Sequence, residues 1–270
     1  MKPIYIEDTN IPELELYKEK SEVQLRRINE PNPGVFIAES ALVIERALAA
    51  GYTPISVLAD PSVYKSSPEL MDTIELMDNV PIFILPQEQL IEFAGYNITR
   101  GILSAMKRTS LPSISDILTT PSIKRIAVLE NVVNPTNVGA IFRSAAALFI
   151  DALLLTPACS DPLYRRALRV SMGNVFMVPW TYTSKDINSI CHEYGFKTAS
   201  MALNHKSISI EASILKSEPK LALFMGSEGY GLSEKTITES DYVVKIPMAE
   251  GVDSLNVAAA SALAFWEITR

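Results

Sequence analysis

The sequence predicts an α/β protein of two domains, and three observations support this prediction. Apolar runs of strand length alternate along the chain with longer segments whose apolar residues recur at helical spacing. Of the 270 residues, 48% are hydrophobic and 20% are charged, a composition typical of globular proteins. A stretch rich in Ser, Thr and Pro interrupts the alternation at 109–122. We therefore predict one domain at 1–108, a linker at 109–122 and a second domain at 123–270.

The first domain is predicted to be a small α/β/α sandwich that follows a mostly helical segment ending near residue 30. Short apolar runs predict its strands, and amphipathic segments predict the helices between them. Glycine tolerates the left-handed conformation in which many helices end, so Gly51 marks the end of the first of these helices. In chain order, the predicted elements are strand 35–38, helix 40–50, strand 55–59, helix 69–77, strand 81–85 and helix 87–93.

The second domain repeats the alternation with stronger signals. Its strands are short and almost wholly apolar, which is typical of a largely parallel sheet that helices cover on both faces. An Ala-rich segment closes the chain and predicts a helix over 254–268. The predicted strands are 125–130, 152–155, 175–178, 198–203, 221–225 and 242–246.

Composition excludes several classes of protein. Two cysteines and two histidines cannot supply a disulfide framework or a structural zinc site, and we predict no metal. No apolar run approaches the roughly 20 residues of a membrane span, and the start lacks the pattern of a signal peptide, so a cytoplasmic protein is expected. The net charge of −7 argues weakly against a nucleic-acid partner. The acidity is concentrated at 1–108, which carry 10 basic and 16 acidic side chains, so charge alone does not decide.

The segment 129–144 combines the end of a strand, a polar loop and a helix. Asn137 is placed to cap the helix, and Gly139 in its first turn lets another backbone or a ligand approach closely. Arg143 lies one to two turns further on, in an otherwise apolar helix. Alone, this pattern is typical of a capped helix with one arginine that reaches solvent.

Two later segments also place unusual residues after predicted strands. Three glycines within six residues (Gly226, Gly229 and Gly231) form a loop that matches neither the dinucleotide fingerprint nor a P-loop. For this loop alone, a binding role and a structural role are equally supported. The other segment, 244–260, runs from the end of a strand into the predicted closing helix, and Asn256 falls in the first turn of that helix, where its propensity is unfavourable. It is expected to bond something specific, although Ser254 and Asn256 could merely cap the helix.

In this order the three segments resemble the motifs of the SpoU/TrmH family of RNA ribose methyltransferases, in the SPOUT superfamily. The resemblance covers the whole second domain, including the stretch 160–173. Residues 20–108 resemble the family's N-terminal substrate-binding domain, which is similar to ribosomal protein L30e. The resemblance implies a catalytic domain whose C-terminal segment threads a trefoil knot, an exception to the usual absence of knots.

The resemblance also implies an activity and a set of site residues. The family transfers a methyl group from S-adenosylmethionine to a ribose 2′-hydroxyl of tRNA or ribosomal RNA, and the L30e-like domain favours ribosomal RNA here. The implied catalytic residues are Asn137, Arg143, Glu228, Ser254 and Asn256. The implied cofactor-binding residues are Leu203, Met225, Gly226, Glu228, Gly231, Ile246, Pro247, Met248, Leu255, Asn256 and Ala258.

Three arginines are expected to contact RNA. Arginine side chains stay protonated in proteins, so we expect Arg143 to clamp a phosphate and stabilise the developing alkoxide instead of acting as the base. Asp161 could cap a helix that Gly173 ends, which would place Arg165 and Arg169 on one face to contact phosphates. A solvated helix face would give the same charge pattern.

Alternatives to this activity remain open at the level of sequence. The chain could be a non-catalytic RNA-binding module of the same fold, or its substrate could be tRNA. A dehydrogenase is disfavoured, because no Gly-x-Gly-x-x-Gly turn follows the first strand.

We also predict a homodimer formed through the second domain. The closing helix is small or apolar nearly all round, so one sheet cannot cover it and a patch including Phe265 and Trp266 should pair with its copy.

Overall fold

The computed structural model describes residues 3–18, 20–94, 100–183, 186–227 and 229–270, and the chain divides into two compact units. Unit 1 comprises Met1–Ser110 and Leu163–Phe176, and unit 2 comprises Leu111–Pro162 and Met177–Arg270. The first division falls after Ser110, and the domain bounds expected from the sequence stay predictions. The grouping of the later segment with unit 1 was not anticipated.

Helices and strands are numbered along the chain, and those of unit 1 form a mixed sheet flanked by helices. Its strands are β1 Ile4–Tyr5, β2 Val35–Glu39, β3 Pro54–Ala59, β4 Ile82–Ile84 and β5 Ile102–Lys107. Its helices are α1 Glu15–Lys18, α2 Glu22–Arg27, α3 Ala41–Ala49, α4 Pro61–Ser66, α5 Pro68–Glu75, α6 Gln87–Ala94 and α9 Arg165–Ser171. The strand order is β1-β4-β3-β5-β2, with β5 antiparallel to both of its neighbours.

Unit 2 contains a parallel sheet. Its strands are β6 Arg125–Leu129, β7 Ala152–Leu155, β8 Trp180–Tyr182, β9 Lys197–Met201, β10 Ile208–Ser209, β11 Leu221–Met225 and β12 Tyr242–Lys245. Its helices are α7 Ile114–Leu118, α8 Pro135–Ala147, α10 Ile187–Glu193, α11 Ser213–Ser217, α12 Glu234–Glu239 and α13 Val257–Ile268. Within the described residues, the strand order is β10-β12-β9-β11-β6-β7-β8, and every pairing is parallel.

The predicted α/β fold with a largely parallel sheet is therefore confirmed. Strands β7 and β11 are buried along their whole length, as expected for strands covered on both faces. Because the strands are parallel, the carboxyl ends of β9, β11 and β12 meet at one edge of the sheet. In open α/β sheets, ligands bind at this edge. The trefoil knot and the L30e likeness of unit 1 stay predictions.

Several elements differ from the sequence prediction. The predicted strand 175–178 is wrong: Asn174–Phe176 form a 3-10 helix, and the strand that follows is β8. This four-residue apolar run was too short for periodicity to separate a strand from a buried turn. The segment predicted as a linker contains α7, which begins with a capping box at Ser113 and buries Ile117 and Leu118. Strand β5 was not predicted.

Two helix starts also differ from the prediction. The closing helix, α13, begins at Val257 instead of Ser254. Helix α9 has Tyr164 and not Asp161 as its N-cap, and its C-cap Met172 adopts the left-handed conformation just before Gly173. In the described part of the chain, no helix combines the length and apolar character needed to cross a membrane.

Candidate functional site

A cavity of about 380 Å³ opens at the carboxyl edge of the unit 2 sheet. Its lining comes mainly from four segments: residues 201–203 at the end of β9, residues 225–227 and 230–232 at the end of β11, residues 244–246 and 248 at the end of β12, and residues 253–255, 257 and 260 around the start of α13. Ile237 of α12 completes it. The predicted site residues that line it are Leu203, Met225, Gly226, Gly231, Ile246, Met248, Ser254 and Leu255. The third motif and the glycine loop therefore face one cavity, although they lie far apart in the sequence.

The glycine loop folds back on itself at the cavity. The Gly231 amide donates to the Ser227 carbonyl over 2.9 Å, and Gly231 has a φ of +66°, a conformation that favours glycine. A Cβ on Gly226 would collide with the backbone of Gly231 and Leu232. Tyr230, at the tip, is 98% exposed. Two of the predicted glycines are thus required by the shape of the loop itself.

Asn256 connects the third motif to the first. Its Oδ1 accepts hydrogen bonds from the Ala258 and Ala259 amides at 3.0 and 3.4 Å, so it is the N-cap of α13 and not a residue of the first turn. Its Nδ2 donates to Oδ1 of Asn137 over 3.2 Å. Asn137 is buried within α8, and the cap of that helix is Asn134, which corrects the expected cap. The two asparagines are therefore positioned by each other.

Arg143 is the exposed cation of the first motif. It lies on α8 six residues after Asn137, a rise of about 9 Å along the helix. Among the described residues, the structure gives its guanidinium no hydrogen bond or ion pair, so its charge is available to an anion. Arg143 does not line the cavity.

Several predicted site residues lie elsewhere. Pro247, Asn256 and Ala258 neighbour cavity residues in the sequence but do not line the cavity themselves. Glu228, predicted for both catalysis and cofactor binding, lies outside the described residues. The predicted RNA contacts Arg165 and Arg169 belong to unit 1.

Arg165 and Arg169 both form ion pairs within unit 1. Arg165 Nε is 3.6 Å from Glu22 Oε1, and Arg169 Nη1 is 3.9 Å from Glu39 Oε1. The side chain of Arg165 is 19% exposed and that of Arg169 is 40% exposed. The two arginines are therefore partly buried and not on a freely solvated helix face.

Sequence reasoning missed part of the cavity wall. The additional lining residues are Met201, Ala202, Ser227, Tyr230, Leu232, Ile237, Val244, Lys245, Asp253, Val257 and Ala260. Most of them directly adjoin a predicted site residue in the sequence or follow the carboxyl end of a strand. Those positions could have been found by extending each motif along its loop.

Glu130 lies in the first motif, and the sequence alone does not indicate its role. It is buried, and its Oε1 accepts the Ser233 amide at 3.0 Å while its Oε2 accepts the Thr236 hydroxyl at 2.6 Å. Ser233 is the N-cap of α12, the helix that follows the glycine loop. Glu130 therefore holds the far end of that loop. Within the described ranges, no group of three or more His, Cys, Asp or Glu side chains is placed to hold a metal ion.

Comparison with known proteins relates this site to one family. The sequence profile of the SpoU rRNA Methylase family matches residues 124–266, which include all three motifs. The chain is 34% identical, over 266 residues, to an uncharacterized tRNA/rRNA methyltransferase of Mycobacterium bovis (strain ATCC BAA-935 / AF2122/97), covering 97% of this chain and 90% of the relative.

Solved structures share the fold. An AdoMet-bound rRNA methyltransferase from Sinorhizobium meliloti superposes with a TM-score of 0.74 at 22% identity, covering 87% of this chain and 86% of that one. An RNA 2′-O ribose methyltransferase superposes with a TM-score of 0.72 at 23% identity, covering 99% of this chain and 98% of that one. At 22% and 23% identity, these similarities show a shared fold and no more.

Proposed function

Because this chain belongs to the SpoU rRNA methylase family, we propose that it transfers a methyl group from S-adenosylmethionine to a ribose 2′-hydroxyl of structured RNA, with ribosomal RNA as the substrate. The observation that carries the proposal is the cavity at the carboxyl edge of the unit 2 sheet. The glycine loop and the third motif line this cavity, and Asn256 ties it to Asn137 of the first motif.

The residues present suit S-adenosylmethionine. Apolar side chains such as Met225, Ile246 and Leu255 line the cavity and would pack against the adenine and the aliphatic chain. Lys245 and Asp253, which also line the cavity, offer opposite charges for the carboxylate and amino groups of the methionine part. Gly226 lets the loop backbone close on itself beside that space. Bound there, S-adenosylmethionine supplies a methyl group activated by a sulfonium.

The residues of the chain itself contribute by positioning the reacting groups. A methyl transfer requires the ribose oxygen, the methyl carbon and the sulfur to be aligned, and such alignment is a large part of catalytic power. We assign Asn137, Ser254 and Asn256 to orienting the groups at the site. Arg143 binds the phosphate next to the reacting ribose and stabilises the negative charge that develops on its oxygen. It does not take the hydroxyl proton, since arginine remains protonated in proteins. The proton passes to solvent as the oxygen–methyl bond forms, and the broken sulfur–methyl bond leaves S-adenosylhomocysteine as the other product.

Two measurements test the activity. Calorimetric titration with S-adenosylmethionine and, separately, with NAD should show binding of the former only. A chain that binds neither would be the non-catalytic RNA-binding module, and binding of NAD alone would support a dehydrogenase. Mapping of 2′-O-methyl groups in RNA from cells lacking the gene should reveal one lost site in ribosomal RNA. Loss of a tRNA methyl group instead would reassign the substrate.

We also propose that the protein acts as a homodimer through unit 2. Leu263 and Trp266 on α13 are 50% and 49% exposed, and Ala259 is exposed on the same face of the helix. Phe265, expected in the same patch, is instead fully buried within the chain. The exposed stripe is narrower than the sequence suggested but still apolar.

A further inference from the structure

Unit 1 contains a charged pocket that the proposed methyl transfer does not use. It has a volume of about 250 Å³ and is lined by Glu22, Glu39, Arg165, Arg166 and Arg169. All five residues belong to unit 1, whereas the cavity assigned to the cofactor belongs to unit 2. The pocket is smaller than the roughly 300–1,000 Å³ of sites for drug-sized ligands, so it suits a group the size of a single base.

Glu39 is the unusual group in this pocket. It ends β2, its side chain is only 2% exposed, and within the described residues its Oε1 accepts no hydrogen bond. Its nearest cation, Nη1 of Arg169, is 3.9 Å away, beyond hydrogen-bond distance. Burial raises the pKa of Glu39, while the charges of Arg169, Arg165 and Arg100 oppose this rise. Buried polar atoms are nearly always hydrogen-bonded, so we expect Oε1 of Glu39 to accept from a donor that the described residues do not supply.

The chemistry of the pocket indicates which donor fits. A carboxylate presents two acceptor oxygens, and the Watson–Crick edge of guanine presents two adjacent donors, N1–H and the N2 amino group. Adenine and cytosine present a single amino group on that edge, and uracil presents a single imide. Unpaired RNA bases are commonly recognised through this edge, and arginine forks bind the phosphates beside them.

We propose that the pocket formed by these five residues binds one unpaired guanine of the RNA substrate. The Glu39 carboxylate accepts hydrogen bonds from N1–H and from the N2 amino group, and Arg169 contacts the adjoining phosphate. The proposal rests on the proposed function, since it takes the substrate to be RNA. It adds that the RNA must contain an unpaired guanine, which unit 1 recognises.

A structural role for Glu39 is the competing explanation. In that case the carboxylate and Arg169 only hold α9 against β2, and no base enters. The geometry gives this role little support, because the pair is long and leaves the buried oxygen without a donor.

The first test uses the full wild-type chain and three fluorescein-labelled RNA pentamers, UUGUU, UUIUU and UUAUU, where I is inosine. Inosine keeps N1–H but lacks the N2 amino group. Fluorescence anisotropy should give affinities that fall in the order guanine, inosine, adenine. A hydrogen bond to a charged group is worth about a tenfold change in affinity or more, so the guanine and adenine pentamers should differ by at least that factor. Equal affinities for all three would overturn the proposal.

The second test replaces the carboxylate. Glu39→Gln preserves the shape of the side chain but places an amino group against the guanine donors, so the three pentamers should bind within about twofold of one another. Glu45→Gln changes an exposed carboxylate on the adjacent helix α3 and should keep the wild-type order. Should Glu39→Gln merely melt at a lower temperature while retaining the guanine preference, Glu39 is structural and the proposal is wrong.

A third measurement separates phosphate from base recognition. Arg169→Ala should weaken binding of all three pentamers alike and reduce the salt dependence of binding by about one unit. An unchanged salt slope would remove the phosphate contact from the proposal. Titration of the same samples with S-adenosylmethionine distinguishes the two hypotheses. Cofactor binding without guanine preference refutes only the pocket, whereas guanine preference without cofactor binding refutes only the methyl transfer.

Discussion

Gly226 has no room for a side chain, because the loop after β11 turns back onto it. We predict that Gly226→Ala lowers the affinity for S-adenosylmethionine at least about tenfold, since the added Cβ would displace the backbone of Gly231 and Leu232. Gly229→Ala is the matched control. A Cβ at Gly229 meets nothing within 4 Å, and this residue does not line the cavity.

Calorimetric titration of the two glycine variants with S-adenosylmethionine measures these affinities. Gly229→Ala should bind within about twofold of the wild type, as small surface changes usually do. Equal affinities for Gly226→Ala and the wild type would show that the folded-back loop does not shape the cofactor site.

Substitution of Arg143 should affect catalysis without affecting cofactor binding. Since it lies outside the cavity, Arg143→Ala should leave the affinity for S-adenosylmethionine within a few-fold of the wild type. Methyl transfer should fall roughly a hundred-fold or more, the usual effect of removing one preorganised electrostatic group. Single-turnover assays with radiolabelled cofactor measure this. Arg143→Lys retains the charge without the planar fork and should give an intermediate rate. Near-full activity of the alanine variant would exclude Arg143 from the mechanism.

Individual residues also show how far the sequence could define the site. The glycines and Leu255 could be placed from their motifs, because motif position determines which loop a residue occupies. The hydrogen bond between Asn137 and Asn256 could not be predicted, since it joins residues 119 positions apart. The same applies to Glu39, an ordinary strand-terminal residue in the sequence whose burial results from the packing of α9 against β2.

At the scale of elements, α13 depends on a cap that also reaches the first motif. Asn256→Ala removes both the cap and the bond to Asn137, whereas Asn256→Ser keeps a capping oxygen but is too short to reach Asn137. An N-cap contributes about 1 kcal/mol and a neutral hydrogen bond about the same. We therefore expect the free energy of unfolding to fall by about 1 kcal/mol in the serine variant and about 2 kcal/mol in the alanine variant.

Urea denaturation of the three proteins measures these differences. If Asn256→Ser and Asn256→Ala are equally destabilised, capping contributes nothing and the bond between the motifs accounts for the whole effect.

Asp241 joins the amino ends of β9 and β12. It accepts hydrogen bonds from Lys197 Nζ at 2.7 Å and from the Thr198 amide at 2.9 Å, and its Oδ2 is 2.8 Å from His192 Nε2. Burial raises the pKa of Asp241, but these hydrogen bonds outweigh burial and hold the pKa far below its usual range. A carboxylate with a lowered pKa stabilises the folded state above its unfolded pKa of about 4 and loses that contribution as the pH falls through the folded value.

We predict that Asp241→Asn lowers the free energy of unfolding by about 2 kcal/mol at pH 7, where the charged hydrogen bonds are complete. The gap between the variant and the wild type should narrow below about pH 4, since there the unfolded chain binds a proton that the folded state excludes. Urea denaturation at several pH values measures the gap. Glu193→Gln, an exposed carboxyl change on α10, should match the wild type throughout. A gap that stays constant down to pH 2 would show that the charge of Asp241 does not contribute.

The elements themselves were predictable to different degrees. The buried strands β7 and β11 have the predicted bounds, because a fully apolar run between polar turns admits few other structures. Strand β5 was missed, since its serine and lysine interrupt the apolar signal. Pairing with β2 on one side and β3 on the other forms the strand despite this weak signal. The prediction of a strand at 175–178 failed for the opposite reason: the run is apolar, but a 3-10 helix and not a strand buries Val175, and Met177 is exposed.

At the scale of the whole molecule, the exposed face of α13 is an apolar stripe that one chain leaves uncovered. Leu263 and Trp266 are half-exposed, and the Arg270 guanidinium lies 4.5 Å from the centre of the Trp266 ring. An apolar stripe on a helix is stabilised when a twofold partner buries it against the same stripe. We therefore predict a homodimer formed through this face.

Light scattering coupled to size exclusion at micromolar concentration tests this prediction. The wild type should have twice the chain mass of 29.7 kDa. Trp266→Glu should have a mass near that of one chain, because it removes the aromatic ring and would bury a carboxylate in the contact, where the desolvation of a charge is costly even with Arg270 beside it. Leu76→Glu introduces the same charge at an 87% exposed leucine in unit 1 and should remain dimeric. A wild-type mass near 29.7 kDa would refute the dimer, and a dimer that survives Trp266→Glu would place the interface on another face.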